Sequence, residues 1–235
     1  MSGKLISLEG GDGSGKSSVT QYLYSRLLEQ DVTVMLVNPK RPTFGDPYVS
    51  QHMTALSRIL WERDASEPRN LLNDYHWVYL SSAWFQIVDQ HLMRPALANN
   101  QIVVVDSWYH KLLTRFRLKE DGVFDEAVRC YSRLTRPDLT FLLDVNPVVA
   151  ADRKTTFGYA ESGNFDGLKG ATRENFVLYQ SWVRSSLMAM AESEGWAIIQ
   201  VDSIDPHTTV DRILKILQPR LLKAASESFD GKNTS

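Results

Sequence analysis

Residues 9–18 read EGGDGSGKSS, with four glycines, one lysine and three serine hydroxyls in ten positions. Gly10, four residues, and then Gly15, Lys16 and Ser17 match the G-x-x-x-x-G-K-[ST] pattern of a phosphate-binding loop. Glycines let the backbone curl until its N–H groups converge on phosphate oxygens, and the following helix adds its positive end. The sequence therefore predicts a nucleotide-phosphate site formed by Gly10, Gly11, Asp12, Gly13, Ser14, Gly15, Lys16, Ser17 and Ser18.

The segments on either side of this loop have the periodicity that the motif requires. KLISLE, before it, is apolar enough for a buried strand, and KSSVTQYLYSRLLEQ, after it, has Val19, Leu23 and Leu27 at helical spacing. In this context Lys16 reaches the β- and γ-phosphates of a nucleotide, and the Ser17 hydroxyl holds Mg²⁺. We therefore expect ATP and Mg²⁺ as cofactors.

Strand-like runs recur along the chain with helical segments between them. Five runs are short, apolar and rich in β-branched residues, as suits strands buried on both faces: LISLE, VTVMLVN, IVVVD, LTFLLDV and AIIQVD. This alternation predicts an α/β three-layer sandwich, in which helices flank a five-stranded parallel sheet. Several runs end in a polar residue at the carboxyl edge, where open α/β sheets bind ligands: Glu9, Asn38, Asp106 and Asp202.

One domain, residues 1–225, is the simplest organisation, because no linker, repeat or low-complexity block interrupts the chain. A helical insertion at about 46–99 is rich in Trp and Tyr, which is more typical of core than of a ligand site. Residues 154–170 contain four glycines and predict a lid, with a solvated connection as the open alternative. Residues 226–235 predict a disordered tail. This plan suits a P-loop kinase that closes over two substrates.

Composition narrows the classes of partner. The net charge of −2 argues against bulk electrostatic binding to nucleic acid or membrane, and no run of eighteen apolar residues is present. The single cysteine, Cys130, cannot form an intrachain disulfide and fits a reducing compartment, so we expect a cytoplasmic protein. The five histidines have no metal-ligand spacing.

Four segments, in this order, resemble the thymidylate kinases within the nucleoside monophosphate kinases: ISLEGGDGSGKSS, NPKRPTFG, IVVVDSWY and PDLTFLLDVNPVVAADR. The resemblance extends over about 4–217. It implies that Asp12 lies near the sugar of the acceptor nucleotide and that Arg41, which follows a proline and lysine, meets the acceptor phosphate. It also implies a small-molecule nucleotide substrate. Since members often form twofold dimers, a homodimer is an open alternative to a monomer.

Departures from the family pattern fall at the acceptor site. Ser107 follows Asp106 where the family has an arginine that holds the acceptor phosphate, and Ser81 and Phe85 stand where it has a stacking aromatic ring and a second arginine. Gly13 occupies a loop position that can supply the transition-state arginine, which leaves the lid cations Arg153, Lys154, Lys169 and Arg173. The missing acceptor charges could be replaced by Lys40, Lys111, Arg115 or Arg117.

From the motif and the resemblance we expect catalytic roles for Lys16, Asp12, Arg41, Asp106 and Arg153. Ser17 and, through water, Asp106 are the expected Mg²⁺ ligands. The leading hypothesis is ATP-dependent phosphorylation of a nucleoside monophosphate, dTMP or a modified pyrimidine deoxynucleotide, to the diphosphate.

Two other functions stay open. The same donor site could serve a nucleoside or a hydroxymethylated pyrimidine, free or in DNA, and only this alternative involves nucleic acid. An alcohol acceptor would benefit from a carboxylate base, for which Glu9 or Asp106 could serve. The second is a nucleotide-binding regulatory protein with little kinase activity, because an obvious transition-state arginine is missing.

Overall fold

The sheet is parallel throughout and forms the centre of the molecule. The computed structural model describes residues 3–62, 71–119 and 122–230, with side chains as far as 219. Within these ranges lie five strands: β1 (Lys4–Glu9), β2 (Val34–Val37), β3 (Ile102–Asp106), β4 (Leu139–Asp144) and β5 (Ala197–Gln200). Their order across the sheet is β2-β3-β1-β4-β5. The predicted five-stranded parallel sheet is therefore confirmed.

Helices connect the strands and cover both faces of the sheet. They are α1 (Lys16–Leu28), α2 (Pro47–Leu60), α3 (Asp74–Val88), α4 (Arg94–Ala98), α5 (His110–Phe116), α6 (Val123–Tyr131), α7 (Pro147–Asp152), α8 (Arg173–Glu194) and α9 (Pro206–Asp230). A π-helical turn, Asp89–Met93, joins α3 to α4. In the part of the chain that the structure describes, none of these helices has the length and hydropathy needed to cross a bilayer.

Side-chain caps fix where the helices around the site begin. The Asp46 carboxylate accepts a hydrogen bond from the Val49 amide at the start of α2, and the Asn73 side chain accepts one from the His76 amide at the start of α3. Thr172 caps α8 in the same way. Each cap satisfies an amide that has no partner within its own helix.

Alternate strand residues point into two separate cores. Leu5 and Val103 face a cluster built from α3, α5 and α6. Ile6 and Val104 face a second cluster with α1 and α9. Burial on both faces explains why the strands read as continuous apolar runs.

The aromatic insertion forms part of the core and also holds a loop. Trp77 and Trp84 on α3 are buried, as the sequence predicts for these rings, whereas Tyr75 and Tyr79 on the same helix are exposed and correct that prediction. The Trp84 indole Nε1 donates to the Pro39 carbonyl oxygen at 2.7 Å, which ties α3 to the loop after β2. At the other end of the chain, α9 continues to Asp230, so it overlaps the predicted tail at 226–235, of which 231–235 lie outside the described residues.

Candidate active site

The phosphate-binding loop leaves the carboxyl end of β1 at the centre of the sheet. Gly13 has φ 82°, and a Cβ there would lie 2.9 Å from the Ala150 Cβ. Gly15, also at φ 82°, caps the N-terminus of α1. Both positions need glycine because L side chains rarely adopt this conformation. The loop therefore has the tight geometry predicted from its glycine spacing.

Lys16 lies inside the loop. Its Nζ donates to the Gly11 carbonyl oxygen at 2.7 Å and lies 3.4 Å from the Ser14 Oγ. Burial and repulsion from the Lys111 ammonium lower the pKa of Lys16 to about 8, against the attraction of Asp12. The ammonium is thus positioned where the motif places the β- and γ-phosphates.

Ser17 and Asp106 lie together although 89 residues separate them in sequence. The Ser17 Oγ donates to Asp106 Oδ2 at 2.7 Å. A hydroxyl and a carboxylate are hard oxygen donors of the kind that Mg²⁺ takes while keeping several waters. The two residues predicted to hold Mg²⁺ fit that role. Elsewhere in residues 3–62, 71–119 and 122–230 there is no cluster of three or more His, Cys, Asp or Glu side chains that could hold a metal.

Glu9 is fully buried at the end of β1 and organises the turn after β3. One carboxylate oxygen accepts from the Ser7 hydroxyl and the Trp108 amide and lies 3.0 Å from the His110 Nδ1. The other accepts from the Ser107 hydroxyl at 3.1 Å. Burial raises the pKa of Glu9, but these hydrogen bonds and the His110 charge outweigh it and hold the pKa below its usual value. Its partners and its burial fit a structural role better than that of a base.

Asp12 is paired on both carboxylate oxygens. Oδ1 lies 2.5 Å from the Lys111 Nζ, and Oδ2 accepts from the Gln180 Nε2 at 3.1 Å. The Asp12 amide also donates to the Gln180 Oε1 at 2.8 Å. Burial opposes ionisation, but the Lys111 and Lys16 ammoniums outweigh it, so the pKa of Asp12 lies far below its ordinary range.

Gln180 was missed by the sequence reasoning. It lies on α8 one turn after the buried Phe176 and is itself buried. Its Nε2 also donates to the Glu161 carbonyl oxygen of the predicted lid at 2.9 Å. The sequence offers one sign of its role, a polar residue among the apolar positions of a helix. This pattern indicates a buried hydrogen-bonding group but does not identify its partner.

The two family arginine positions are occupied by residues with structural roles. Ser107 has φ 64° and bonds to Glu9. Phe85 packs edge-on against Trp108 and Tyr131, with ring centroids 5.1 and 5.9 Å away. Neither position supplies a charge to the site.

Cations enter the site from other elements. Lys40 and Arg41 lie on the loop that follows β2, and Arg41 is exposed. The Lys40 Nζ is 5.8 Å from the centroid of the Trp61 ring. Although the Lys40 side chain is solvent-accessible, desolvation by the surrounding protein and repulsion from Lys111 lower its pKa to about 8.

Arg153 contacts the loop through backbone carbonyls. Its guanidinium donates to the carbonyl oxygens of Gly13 at 3.3 Å, Val201 at 2.6 Å and Asp202 at 2.9 Å. These bonds link the end of α7 to the phosphate-binding loop and to the end of β5. Its predicted catalytic role stays a prediction, and it would require the guanidinium to exchange one of these partners for a phosphoryl oxygen.

The predicted lid, 154–170, packs against α5 and α8. The Lys119 Nζ lies 2.8 Å from Asp166 Oδ1, and the Tyr179 hydroxyl donates to Asp166 Oδ2 at 2.5 Å. The Arg115 guanidinium donates to the Ala160 carbonyl oxygen at 3.2 Å. The lid thereby forms one wall of a cavity of about 760 Å³, whose other walls include Trp61, Ser81 and Phe116. A cavity of this size can hold a nucleotide.

Comparisons with known proteins agree with this arrangement. The family model described as thymidylate kinase matches residues 8–200. The chain is 26% identical to a probable thymidylate kinase of Methanococcoides burtonii, across 98% of this chain and 100% of that relative. It is 29% identical to a thymidylate kinase of Alcanivorax borkumensis, across 91% and 95%. The crystal structure of thymidylate kinase from Ehrlichia chaffeensis shares the fold, with a TM-score of 0.63 at 16% identity, across 93% of this chain and 99% of that one.

Proposed function

The chain belongs to the thymidylate kinase family, and from that premise we propose that it transfers the γ-phosphoryl group of ATP to dTMP, giving ADP and dTDP. The observation that carries the proposal is the Ser17–Asp106 contact of 2.7 Å beside the Lys16 ammonium. A lysine, a hydroxyl and a carboxylate meet where a Mg²⁺-nucleotide is held in proteins with this loop.

The residues act by positioning and by neutralising charge. The loop amides and Lys16 bind the β- and γ-phosphates. Ser17 and, through water, Asp106 would hold Mg²⁺, which would neutralise charge on those phosphates. Arg41 orients the acceptor, and Asp12 binds near its sugar. An acceptor phosphate already carries a nucleophilic oxygen and needs no strong base, which suits the buried, fully paired state of Glu9. The cytoplasmic location and the homodimer remain predictions from the sequence.

A rival acceptor without a phosphate is favoured by one observation. Ser107 and Phe85 leave the two family arginine positions uncharged, and a nucleoside or hydroxymethylated pyrimidine would not require those charges. Such an acceptor does not account for the cations that reach the site from other elements, so dTMP is the better candidate.

An acceptor panel separates the two. ADP release is measured with Mg²⁺-ATP against dTMP, dUMP, 5-hydroxymethyl-dUMP, dCMP, dGMP, thymidine and single-stranded DNA, with Lys16→Ala as the blank. The proposal expects the highest kcat/KM for dTMP, at turnover of roughly 1–100 s⁻¹. Turnover on thymidine or DNA with none on dTMP would replace it with the rival, and ATP binding without any turnover would indicate a regulatory protein.

A further inference from the structure

The acceptor phosphate needs positive charge, and beside Arg41 the family resemblance implies two further arginines whose positions carry none in this chain. Ser107 is bonded to Glu9, and Phe85 is packed between Trp108 and Tyr131. The missing positive charge must therefore come from other positions in the chain. The inference below rests on the proposed function.

Lys111 supplies the first relocated charge. It is the second residue of α5, and its ammonium lies 2.5 Å from the Asp12 carboxylate in the phosphate-binding loop. An ammonium has three N–H donors, and this contact uses one. The remaining donors lie beside the carboxylate that the resemblance places near the acceptor sugar.

Arg115 lies one helical turn further along the same face of α5. It lines the large cavity, and its guanidinium donates to the Ala160 carbonyl oxygen of the lid at 3.2 Å. It is stacked at 6.0 Å from the centroid of the Tyr179 ring. Packing of this kind restrains a guanidinium, which has five N–H donors in a fixed planar arrangement that suits an anion.

Lys40 lies on the loop after β2, and its Nζ is 5.8 Å from the centroid of the Trp61 ring, which lines the same cavity as Arg115. The Trp84–Pro39 bond and a bond from the Lys40 amide to the Asn38 Oδ1, at 3.0 Å, hold this loop. The Lys40 ammonium interacts electrostatically with Lys111 and Arg115 as like charges and with Asp12 and Asp106 as opposite charges. Two elements, α5 and the loop after β2, therefore bring three cations to this side of the site.

Like charges repel when they are brought together in partly buried surroundings, and a bound anion relieves the repulsion. In this cluster Asp12 is already committed to Lys111 and Gln180, and Asp106 to Ser17. We infer that Lys40, Lys111 and Arg115 bind the phosphate of the acceptor nucleotide and together replace the two family arginines.

Arg117, the residue that follows the end of α5, offers a matched control. Its guanidinium lies 4.9 Å from the centroid of the Phe124 ring. With Tyr109 and Leu113 it lines a second cavity, of about 560 Å³, which meets a different face of α5 from the one that carries Arg115. Among the four replacement cations considered from the sequence, this one points away from the site.

Equilibrium binding by calorimetry on the full chain, without ATP, tests the inference. The ligands are dTMP and thymidine, which differ by the phosphate, and the variants are Lys40→Ala, Lys111→Ala, Arg115→Ala and Arg117→Ala. We expect each of the first three to weaken dTMP binding on the order of tenfold or more, thymidine binding to change less than about twofold, and Arg117→Ala to match wild type. Lys111→Arg should restore much of the affinity.

Equal losses for dTMP and thymidine would overturn the inference, because they would indicate a structural or nucleoside-binding role. The inference would also be overturned if Arg117→Ala weakened dTMP binding and the other three alanine variants did not. If the wild-type chain binds dCMP or dGMP but not dTMP, with the same dependence on the three cations, the inference stands and the proposed substrate fails. Thermal melts identify any variant that does not fold. If Lys40→Ala or Lys111→Ala fails to fold, the dTMP and thymidine affinities of Lys40→Arg and Lys111→Arg are compared with wild type instead.

Discussion

At the scale of single residues, Lys16 is the side chain on which phosphoryl transfer depends most. Its ammonium lies 2.7 Å from the Gly11 carbonyl oxygen, inside the loop. Lys16→Ala is expected to lower kcat by about 10²–10³-fold, because a positioned donor to the transferred group is lost. Steady-state kinetics measure this, with Lys4→Ala as the control, since Lys4 pairs with Asp138 away from the site. A loss below about tenfold would contradict the assigned role.

Lys40 gives the acceptor site a pH dependence. Desolvation and repulsion from Lys111 and Arg115 on α5 lower its pKa to about 8, against the attraction of Asp12 in the loop and Asp106 on β3. The Lys40 side chain is therefore protonated well below pH 8, and it loses its positive charge as the pH rises through that value. The dissociation constant for dTMP should rise by up to about tenfold per pH unit above this point. Lys40→Arg should lose affinity for dTMP less steeply than wild type between pH 7 and 9, and identical profiles for the two proteins would contradict the prediction.

At the scale of elements, α8 connects the loop to the lid through Gln180. Gln180→Leu removes three hydrogen bonds, and it leaves the Asp12 amide and the Glu161 carbonyl without this partner. The free energy of unfolding should fall by about 1–3 kcal/mol, and kcat should fall with it. Denaturant titration and kinetics measure both. Ser181→Ala, one residue on, removes a bond within the helix and serves as the control; equal effects would show that Gln180 has no special role.

The end of β1 and the start of α5 are joined by the Glu9–His110 pair, which makes stability depend on pH. Because the folded pKa of Glu9 is lowered, its contribution is present above the unfolded value of 4.5 and is lost as the pH falls through the folded pKa. Glu9→Gln should destabilise the fold by about 1.5–3 kcal/mol at pH 7, because the buried carboxylate and its hydrogen bonds are lost. The gap from wild type should narrow as the pH falls below 4.5; unfolding curves in which it stays constant would contradict this account.

At the scale of the whole molecule, the lid must sit against α8 for the cavity to close. Gly163 has φ 73°, and a Cβ there would lie 2.6 Å from the Tyr179 Cδ2, whereas Gly167, at φ 99°, has no atom within 4 Å. Gly163→Ala should displace the lid and raise KM for dTMP several-fold more than Gly167→Ala, because both carry backbone strain but only the first collides. Faster proteolysis within 154–170 in Gly163→Ala would support this prediction. Equal KM values and equal proteolysis rates for the two variants would contradict it.

The sequence predicted the scaffold well because its signals are local. Apolar β-branched runs marked the strands, and glycine spacing marked the loop, so Ser17 and Asp106 could be placed at one edge before their contact was seen. The acceptor site was harder to predict, because its contacts join residues that are far apart in the sequence. Lys111 and Asp12 are 99 residues apart, and Gln180 and Asp12 are 168 apart, so no periodicity links them. The sequence could name Lys40, Lys111, Arg115 and Arg117 as candidate charges but not separate the last from the others.

The most direct test of the central claim is identification of the product. The full chain is incubated with Mg²⁺-ATP labelled in the γ-phosphate and with dTMP, and the nucleotides are separated by chromatography, with Lys16→Ala alongside. The account predicts that label appears in dTDP with wild type and not with the variant. Label that stays in ATP or appears only as inorganic phosphate, in a preparation that binds both nucleotides, would contradict it.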